Sequence, residues 1–311
     1  MTSPPQVWTP KTLLDWTEGY LDDKGVPSPR LDAELLLAHV LGCRRIDLYL
    51  RFDRPLAEAE LGAYRALVRA RGQRRPLAYL VGETGFWSLT LTVREGILIP
   101  SPDTETLVEG VLAAIAALRA EDPARPLRAL ELGTGSAAIP LAVCSEVEGL
   151  AWVAVERSPA AMAVAAENRR RHAGLLAPRH NALWLVLGDR FEAIAPDWRP
   201  HLVAGNPPYI PDGTVDRLMP EVSQAEPRMA LAGGLDGGDF QRAMLDYAQR
   251  SLAPGGHVLM EMGSEQERRL RADVEQRPGL RLIDVRKDLA GHPRVLHAQR
   301  AEPVGGEPAS R

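Results

Sequence analysis

Residues 205–211, "GNPPYIP", place an asparagine and a tyrosine on either side of two prolines. This segment follows "HLVA" at 201–204, an apolar run that is typical of a strand. Because proline can neither continue a helix nor donate to a β-ladder, the strand must end here in a stiff turn. Asn206 and Tyr209 are therefore predicted to stand at the carboxyl edge of a sheet, where an amide and an aromatic ring can contact a ligand.

A second candidate site follows the apolar run "LRALEL" at 127–132. Its turn consists of Gly133, Thr134, Gly135, Ser136 and Ala137. Glycines between a strand and a helix let the backbone bend sharply and let a ligand approach closely. Glu156 ends the next predicted strand, where it can accept hydrogen bonds from ribose hydroxyls, and Asp189 follows the third, where it can accept from an adenine amino group. A packing turn, a solvated acid and a helix cap are the structural alternatives, but together the three groups favour a nucleotide site.

The two sites together suit methyl transfer from S-adenosylmethionine, which carries adenosine without a pyrophosphate. An amide nitrogen is a poor nucleophile, because its lone pair is delocalised into the carbonyl group. The side-chain oxygen of Asn206 and the carbonyl oxygen of Pro207 can accept its two hydrogens, and Pro208 helps to keep that carbonyl rigid. Tyr209 offers a ring face on which a planar amide or a base can stack. No His or Lys lies within the motif, so we expect positioning rather than general-base catalysis.

Apolar runs alternate with helical segments after residue 126, which predicts an α/β fold with a Rossmann-like, seven-stranded, mostly parallel sheet. The runs are "LRALEL" (127–132), "LAWVAV" (150–155), "ALWLVL" (182–187), "HLVAG" (201–205), "HVLMEM" (257–262), "LRLIDV" (280–285) and "RVLHAQ" (294–299). We expect this domain to occupy residues 101–300 and the Gly- and Pro-rich residues 301–311 to form a disordered tail.

The first hundred residues show two other patterns. Residues 1–80 have apolar positions at helical spacing and are predicted to form a small helical bundle. Residues 81–100 are predicted to form a β-hairpin linker with its polar turn at 94–96.

Composition limits the kind of protein this is. The net charge of −4 over 311 residues argues against a protein whose main task is to bind nucleic acid. The two cysteines, Cys43 and Cys144, offer neither a disulfide framework nor zinc-ligand spacing, so no metal is expected. A leader-like N-terminus and an apolar run of about 18 residues are both missing from the sequence. We therefore expect a cytoplasmic protein that contacts no membrane. We also expect a monomer, although the sequence has no feature that decides the oligomeric state.

Several motifs, taken together, resemble the release factor glutamine methyltransferases, the PrmC or HemK family. They are "RLDAELLLAHVLG", "RPLAYLVGETGFWSLTLTVREGILIPSPDTETLVE", "NPPYIP", "EPRMALAGGLDGGDFQR" and "KDLAGHPRVLHAQR". The resemblance implies methylation of the glutamine in the Gly-Gly-Gln loop of class 1 peptide release factors, with S-adenosyl-L-homocysteine as the second product. It also implies that the helical domain helps to hold the release factor.

The resemblance assigns roles to particular residues. It implies that Gly133 to Ala137, Glu156 and Arg190 contact the cofactor, with Asn206 also touching it. It assigns Asn206 to Tyr209 to the glutamine site and Phe86 to the wall of the active site.

The sequence departs from the family pattern at a few positions. Ala137 stands where the family usually has a third glycine, and Glu131 where an aspartate is more common. An arginine is usual in place of Ser101, a bulky aromatic residue in place of Arg190, and an aspartate in place of His201. A guanidinium at residue 190 can still stack on a base.

Three other functions stay open from the sequence. A related enzyme could methylate the glutamine of a ribosomal protein. A nucleic-acid methylase could use the same motif, because a flipped base also presents an exocyclic amine. A non-catalytic protein could also use this scaffold only to bind a ligand.

Overall fold

The computed structural model describes residues 7–302 and contains two compact units. The first unit comprises the residues through Glu83 together with the segment Leu218–Ala225. The second comprises Thr84–Arg217 and the residues from Glu226 onward. Residues 303–311 of the predicted tail at 301–311 lie outside the described residues. The domain boundaries predicted from the sequence stay a prediction.

The helices and strands are numbered in chain order. The helices are α1 (Pro10–Asp23), α2 (Pro29–Leu41), α3 (Arg45–Tyr49), α4 (Glu58–Gly72), α5 (Leu77–Val81), α6 (Glu105–Glu121), α7 (Ala138–Glu146), α8 (Pro159–Arg171), α9 (Ala173–Leu176), α10 (Pro220–Ser223), α11 (Arg228–Leu231), α12 (Asp239–Ser251) and α13 (Glu267–Glu275). The strands are β1 (Glu83–Phe86), β2 (Leu89–Thr92), β3 (Leu127–Leu132), β4 (Leu150–Glu156), β5 (Ala182–Leu187), β6 (Leu202–Gly205), β7 (His257–Glu261), β8 (Leu280–Lys287) and β9 (Pro293–Arg300).

The first unit is helical, as predicted, and buries a core between α1, α2 and α4. Helix α2 begins with Pro29 and ends at Leu41. Gly42 caps it with a φ of 59°, a left-handed conformation that glycine adopts without strain. The short helices α3 and α5 were not predicted, because five residues are too few to show a helical period.

A buried ion-pair cluster joins the segment 218–225 to α2 and α4 within the helical unit. The Arg71 guanidinium donates to Asp32 at 2.6 Å and to Glu221 at 2.9 Å, and all three side chains are nearly buried. Arg74 donates to both carboxylate oxygens of Glu221, at 2.6 and 2.7 Å. Two arginines of the basic run at 69–75 therefore bind carboxylates inside the unit, where they are not available to a nucleic acid.

The second unit contains a seven-stranded sheet in the order β5-β4-β3-β6-β7-β9-β8. The first five strands in that order run parallel, and β9 pairs antiparallel with β7 and β8. Apolar side chains alternate between two buried cores on opposite faces, as with Trp152 and Val153 of β4. A sheet covered on both faces requires the near-continuous apolar runs seen in the sequence. The predicted fold class is confirmed.

The hairpin of β1 and β2 differs from the prediction at its turn. The strands are joined by the two residues Trp87 and Ser88, and the residues at 94–96 form a separate turn after β2. Trp87 has a φ of 56°, which is strained for a bulky residue. Its backbone N–H donates to Glu105 and its indole to Glu146, both at 2.7 Å, and these bonds hold the strained turn in place. No local sequence signal indicated such a turn.

Within residues 7–302, none of the helices combines the length and the apolar character needed to cross a bilayer.

Candidate active site

A cleft of about 770 Å³, open to solvent, lies at the carboxyl edge of the parallel strands in the second unit. The predicted site residues that line it are Gly133, Gly135, Glu156, Asp189, Arg190, Asn206 and Pro208. We call this the main cleft.

A smaller cleft, which we call the side cleft, shares Gly133, Gly135 and Asn206 with the main cleft. Thr134 and Ser136 line only the side cleft. The remaining predicted residues, Ala137, Pro207, Tyr209 and Phe86, line neither cleft. Phe86 is 2% exposed and packs in the core instead of forming part of a cleft wall.

The turn after β3 is held tightly against β4. The backbone N–H groups of Gly133 and Thr134 both donate to the Val155 carbonyl, at 2.9 and 3.1 Å. Ala137, which is fully buried, has a φ of 64°, and a non-glycine residue in this region costs about 1–2 kcal/mol. This conformation gives a physical reason for a glycine at that position, and the alanine here is tolerated with strain.

Glu156, at the end of β4, is fixed by two backbone amides. The N–H of Gly135 donates to one carboxylate oxygen at 2.9 Å, and the N–H of Ser158 donates to the other at 2.8 Å. Each oxygen still has a lone pair for a further donor, because an ionised carboxylate can accept about four hydrogen bonds. The carboxylate thus lines the main cleft in a fixed orientation and can accept hydrogen bonds from two further donors.

The main cleft is also lined by Asp189, Arg190 and the ring of Phe240, which sequence reasoning missed. The Arg190 guanidinium lies 5.1 Å from the centre of the Phe240 ring, and both residues line the cleft. Asp189 is half exposed and lies 3.9 Å from the Arg157 guanidinium. Phe240 thus supplies an aromatic face near the position where the family usually has an aromatic residue and this chain has Arg190.

A chain of hydrogen bonds runs from Asn206 into the protein interior. The Asn206 amide nitrogen donates to the Thr104 hydroxyl at 3.1 Å, and that hydroxyl donates to Glu261 Oε2 at 2.6 Å. The Tyr209 hydroxyl donates to Glu261 Oε1 at 3.0 Å. Burial raises the pKa of Glu261 to about 7, and the hydrogen bonds from Thr104 and Tyr209 oppose that shift. Burial also raises the pKa of the Tyr209 hydroxyl, so this group stays protonated and able to donate.

The backbone of the Asn206–Tyr209 turn is clamped by the glycine-rich segment that follows α11. A Cβ atom on Gly237 would lie 2.1 Å from the Tyr209 carbonyl oxygen, and one on Gly233 would lie 2.6 Å from the Pro208 carbonyl oxygen. Gln266 donates to the same Tyr209 carbonyl at 2.6 Å. These contacts leave the turn little freedom to move.

Comparison with known proteins decides the family. The family model described as the PrmC N-terminal domain matches residues 12–82. A release factor glutamine methyltransferase of Geobacter sulfurreducens is 41% identical over 85% of this chain and 87% of its own length. A protein of the same name from Rhodopirellula baltica is 36% identical over 96% of this chain and 99% of its own length.

The chain belongs to the release factor glutamine methyltransferase family. The predicted family and the predicted enzyme class are both confirmed. A solved structure described as a release factor-specific protein-(glutamine-N5) methyltransferase from Alicyclobacillus acidocaldarius is 27% identical. It covers 66% of this chain and 95% of its own, with a TM-score of 0.37, so the assignment rests on the sequence relatives.

In this member of the release factor glutamine methyltransferase family, sequence reasoning missed Thr104, Glu261 and Gln266. Thr104 and Glu261 are 157 residues apart, so no local pattern joins them. One signal was present in the sequence, because Glu261 is an acid inside the buried apolar run "HVLMEM". An acid in a buried strand needs hydrogen-bond partners, and that need is a sign of a functional or structural network.

The clamp on the turn gives a first prediction. Replacing Gly237 by Ala places a methyl group against the Tyr209 carbonyl at a residue whose φ is 72°. We expect the turn to shift and the methyltransferase rate to fall roughly 100-fold, because a misplacement of about 1 Å has that effect.

The matched control is Gly213→Ala, at an exposed glycine beside which a Cβ atom meets nothing within 4 Å. Initial rates with labelled methyl donor measure both variants, and circular dichroism checks that they fold. Equal rates for the two variants would show that the clamp does not position the turn.

Proposed function

We propose that this enzyme transfers a methyl group from S-adenosylmethionine to the side-chain amide nitrogen of the glutamine in the Gly-Gly-Gln motif of class 1 peptide release factors. The observation that carries this proposal is the orientation of Asn206. Its amide nitrogen is committed to Thr104, so its side-chain oxygen is left to accept from a ligand beside the main cleft.

The residues of the main cleft fit the adenosine of that cofactor. At Gly133 and Gly135 a Cβ atom would meet nothing within 4 Å, so the backbone of the turn faces open space. Glu156 supplies paired acceptors for ribose hydroxyls, and Asp189 offers an acceptor for an amino group. When bound, S-adenosylmethionine supplies an electrophilic methyl carbon on a positively charged sulfur.

The turn residues fit a carboxamide as the second substrate. The side-chain oxygen of Asn206 and the carbonyl oxygen of Pro207 receive no hydrogen bond from any residue in the range 7–302, so both can accept the two N–H hydrogens of a glutamine amide. In the reaction a nitrogen–carbon bond forms, a sulfur–carbon bond breaks, and one amide proton passes to water. The methylated amide first carries a positive charge on nitrogen and is a strong acid, so it loses its proton to water readily. The chain therefore needs to orient the amide but does not need to supply a base.

Two further parts of the proposal concern the setting of the reaction. We place it in the cytoplasm, where release factors act, and expect a monomer. A nucleic-acid substrate is disfavoured by the net charge of −4 and by the internal pairing of Arg71 and Arg74.

We also propose that the helical unit binds an acidic, partly apolar surface of the release factor. This unit has a groove of about 970 Å³ whose wall includes Trp16 and Tyr20, stacked with ring centres 5.5 Å apart. Trp16 is 55% exposed, and the exposed Arg65 and Arg69 line the same groove. An aromatic wall with arginines beside it is complementary to apolar side chains flanked by carboxylates.

The function is tested by incubating purified release factor with the enzyme and S-adenosylmethionine and analysing its peptides by mass spectrometry. We expect one added methyl group on the Gly-Gly-Gln peptide. Asn206→Ala should abolish this transfer while leaving the affinity for S-adenosylhomocysteine within a few-fold, because the carboxamide is lost but Glu156 and the glycine turn remain.

Ribosomal proteins, DNA and RNA serve as alternative acceptors in the same assay. Methylation of one of them in place of the release factor would reject the proposed substrate. Near-normal transfer by Asn206→Ala would reject the role of the amide acceptor.

The groove is tested by reversing one of its charges. We expect Arg69→Glu to raise the KM for intact release factor about tenfold with little change in kcat, because the substituted side chain repels an acidic partner. Methylation of a short Gly-Gly-Gln peptide, which is too small to reach a second site, should be unchanged.

Arg51→Glu makes the same charge change at an exposed residue of the helical unit outside the groove. If both variants raise the KM equally, the effect is one of net charge and the groove is not the docking surface.

A further inference from the structure

The carboxylate of Glu261 is linked by hydrogen bonds to two residues of the turn after β6. It binds Tyr209 directly and reaches Asn206 through Thr104. Glu261 ends β7 and is 1% exposed. One of its oxygens accepts from the Tyr209 hydroxyl, and the other accepts from Thr104, which in turn contacts Asn206. The proposed function gives neither Glu261 nor Thr104 a part in binding either substrate.

When Glu261 is ionised, the hydrogen bonds in this network have a fixed direction. An ionised carboxylate can only accept, so Thr104 must use its single hydroxyl hydrogen toward Glu261. The Thr104 oxygen is then left as an acceptor, and Asn206 must meet it with its amide nitrogen. The opposite orientation of the Asn206 amide would place two acceptor oxygens against each other. The side-chain oxygen of Asn206 therefore has to point away from Thr104.

The turn that carries Thr104 is itself built to hold the hydroxyl in place. Residues Pro102–Thr104 form a single 3₁₀ turn, and the Ser101 hydroxyl accepts from the Asp103 N–H at 3.2 Å. The Thr104 N–H donates to the Ser101 carbonyl at 3.0 Å. Ser101, which departs from the family pattern, thus caps the turn that presents Thr104.

We propose that Glu261 is a positioning residue, which acts through Thr104 to fix the direction of the Asn206 carboxamide and directly to fix the Tyr209 hydroxyl. This inference rests on the proposed function for its link to catalysis. The hydrogen-bond directions themselves do not depend on which substrate is used.

The ionisation state of Glu261 determines which groups of the network donate and which accept. Burial raises the pKa of Glu261 to about 7, so the carboxylate form prevails only above that pH. Below it, the protonated carboxyl can donate to Thr104, whose own hydrogen is then free to face Asn206. The other charged or titratable groups that face Glu261 are Tyr209, Arg294, which lowers its pKa, and Asp103, which raises it. The activity should therefore rise as the pH increases through about 7.

The experiment compares Thr104→Val, Thr104→Ser and Glu261→Gln in the full-length enzyme, with release factor and S-adenosylmethionine as substrates. In Glu261→Gln the amide can donate to Thr104, which frees the Thr104 hydrogen and favours the reversed Asn206 orientation. We expect Thr104→Val and Glu261→Gln to lower kcat roughly 100-fold. The KM for release factor and the affinity for S-adenosylhomocysteine should stay within about threefold.

Two readouts separate positioning from a structural role. Thr104→Ser keeps the hydroxyl and should recover kcat to within about threefold of the unsubstituted enzyme. The rise of kcat through about pH 7 should be present in the unsubstituted enzyme and missing in Glu261→Gln. At pH 8 the Glu261→Gln variant should unfold at a temperature no lower than that of the unsubstituted enzyme, because the substitution removes a buried charge.

A third readout does not need activity. The side-chain amide signals of Asn206 in a nitrogen-15 NMR spectrum are assigned by their loss in Asn206→Ala. They should shift with pH about a midpoint near 7, and they should lose that shift in Glu261→Gln. If the enzyme methylates release factor and Thr104→Val or Glu261→Gln does so at a near-normal kcat, the positioning role is wrong and the proposed function stands. If no release factor is methylated, the proposed function fails. Independently of that result, Asn206 amide signals that Thr104→Val leaves unchanged would overturn the positioning role.

Discussion

A buried carboxylate must be hydrogen-bonded, and this requirement at Glu261 links the residues of the candidate active site. Its two oxygens draw in the Thr104 hydroxyl and the Tyr209 hydroxyl. Thr104 comes from the turn before α6, Tyr209 from the turn after β6, and Glu261 from the end of β7. Three segments that are far apart in the chain are therefore held in a fixed arrangement, and these contacts orient the Asn206 carboxamide.

The sheet and the glycine-rich segment of the second unit keep these three segments in place. Parallel pairing of β3, β6 and β7 brings the glycine turn, the asparagine and the carboxylate to one edge of the sheet. The clamp by Gly233 and Gly237 restricts the intervening backbone, so the oxygens that we propose as acceptors for the substrate amide would lose little entropy on binding. Rigid acceptors that need no reorganisation are also the arrangement that stabilises a transition state most effectively.

The sequence allowed the prediction of the features that depend on local patterns. The seven strands, the glycine turn and the Asn206–Tyr209 turn follow from apolar runs and from the backbone limits of glycine and proline, and the structure has each element where it was expected. Contacts between distant residues could not be predicted. Arg71 and Glu221 are 150 residues apart, and so the grouping of residues 218–225 with the helical unit had no local signal. The hairpin turn was misplaced because Trp87 adopts a left-handed conformation that only tertiary hydrogen bonds explain.

We infer that the Asn206 oxygen faces the substrate because Thr104 and Glu261 hold the amide nitrogen on the opposite side. Neutron diffraction, which locates hydrogen atoms, tests this most directly in a complex with S-adenosylhomocysteine and a Gly-Gly-Gln peptide at pH 8. We expect a deuteron of the Asn206 amide to be directed at Thr104, a deuteron to lie between Thr104 and Glu261, and the glutamine amide to donate to the Asn206 oxygen. A structure in which the Asn206 amide nitrogen points at the peptide would contradict it.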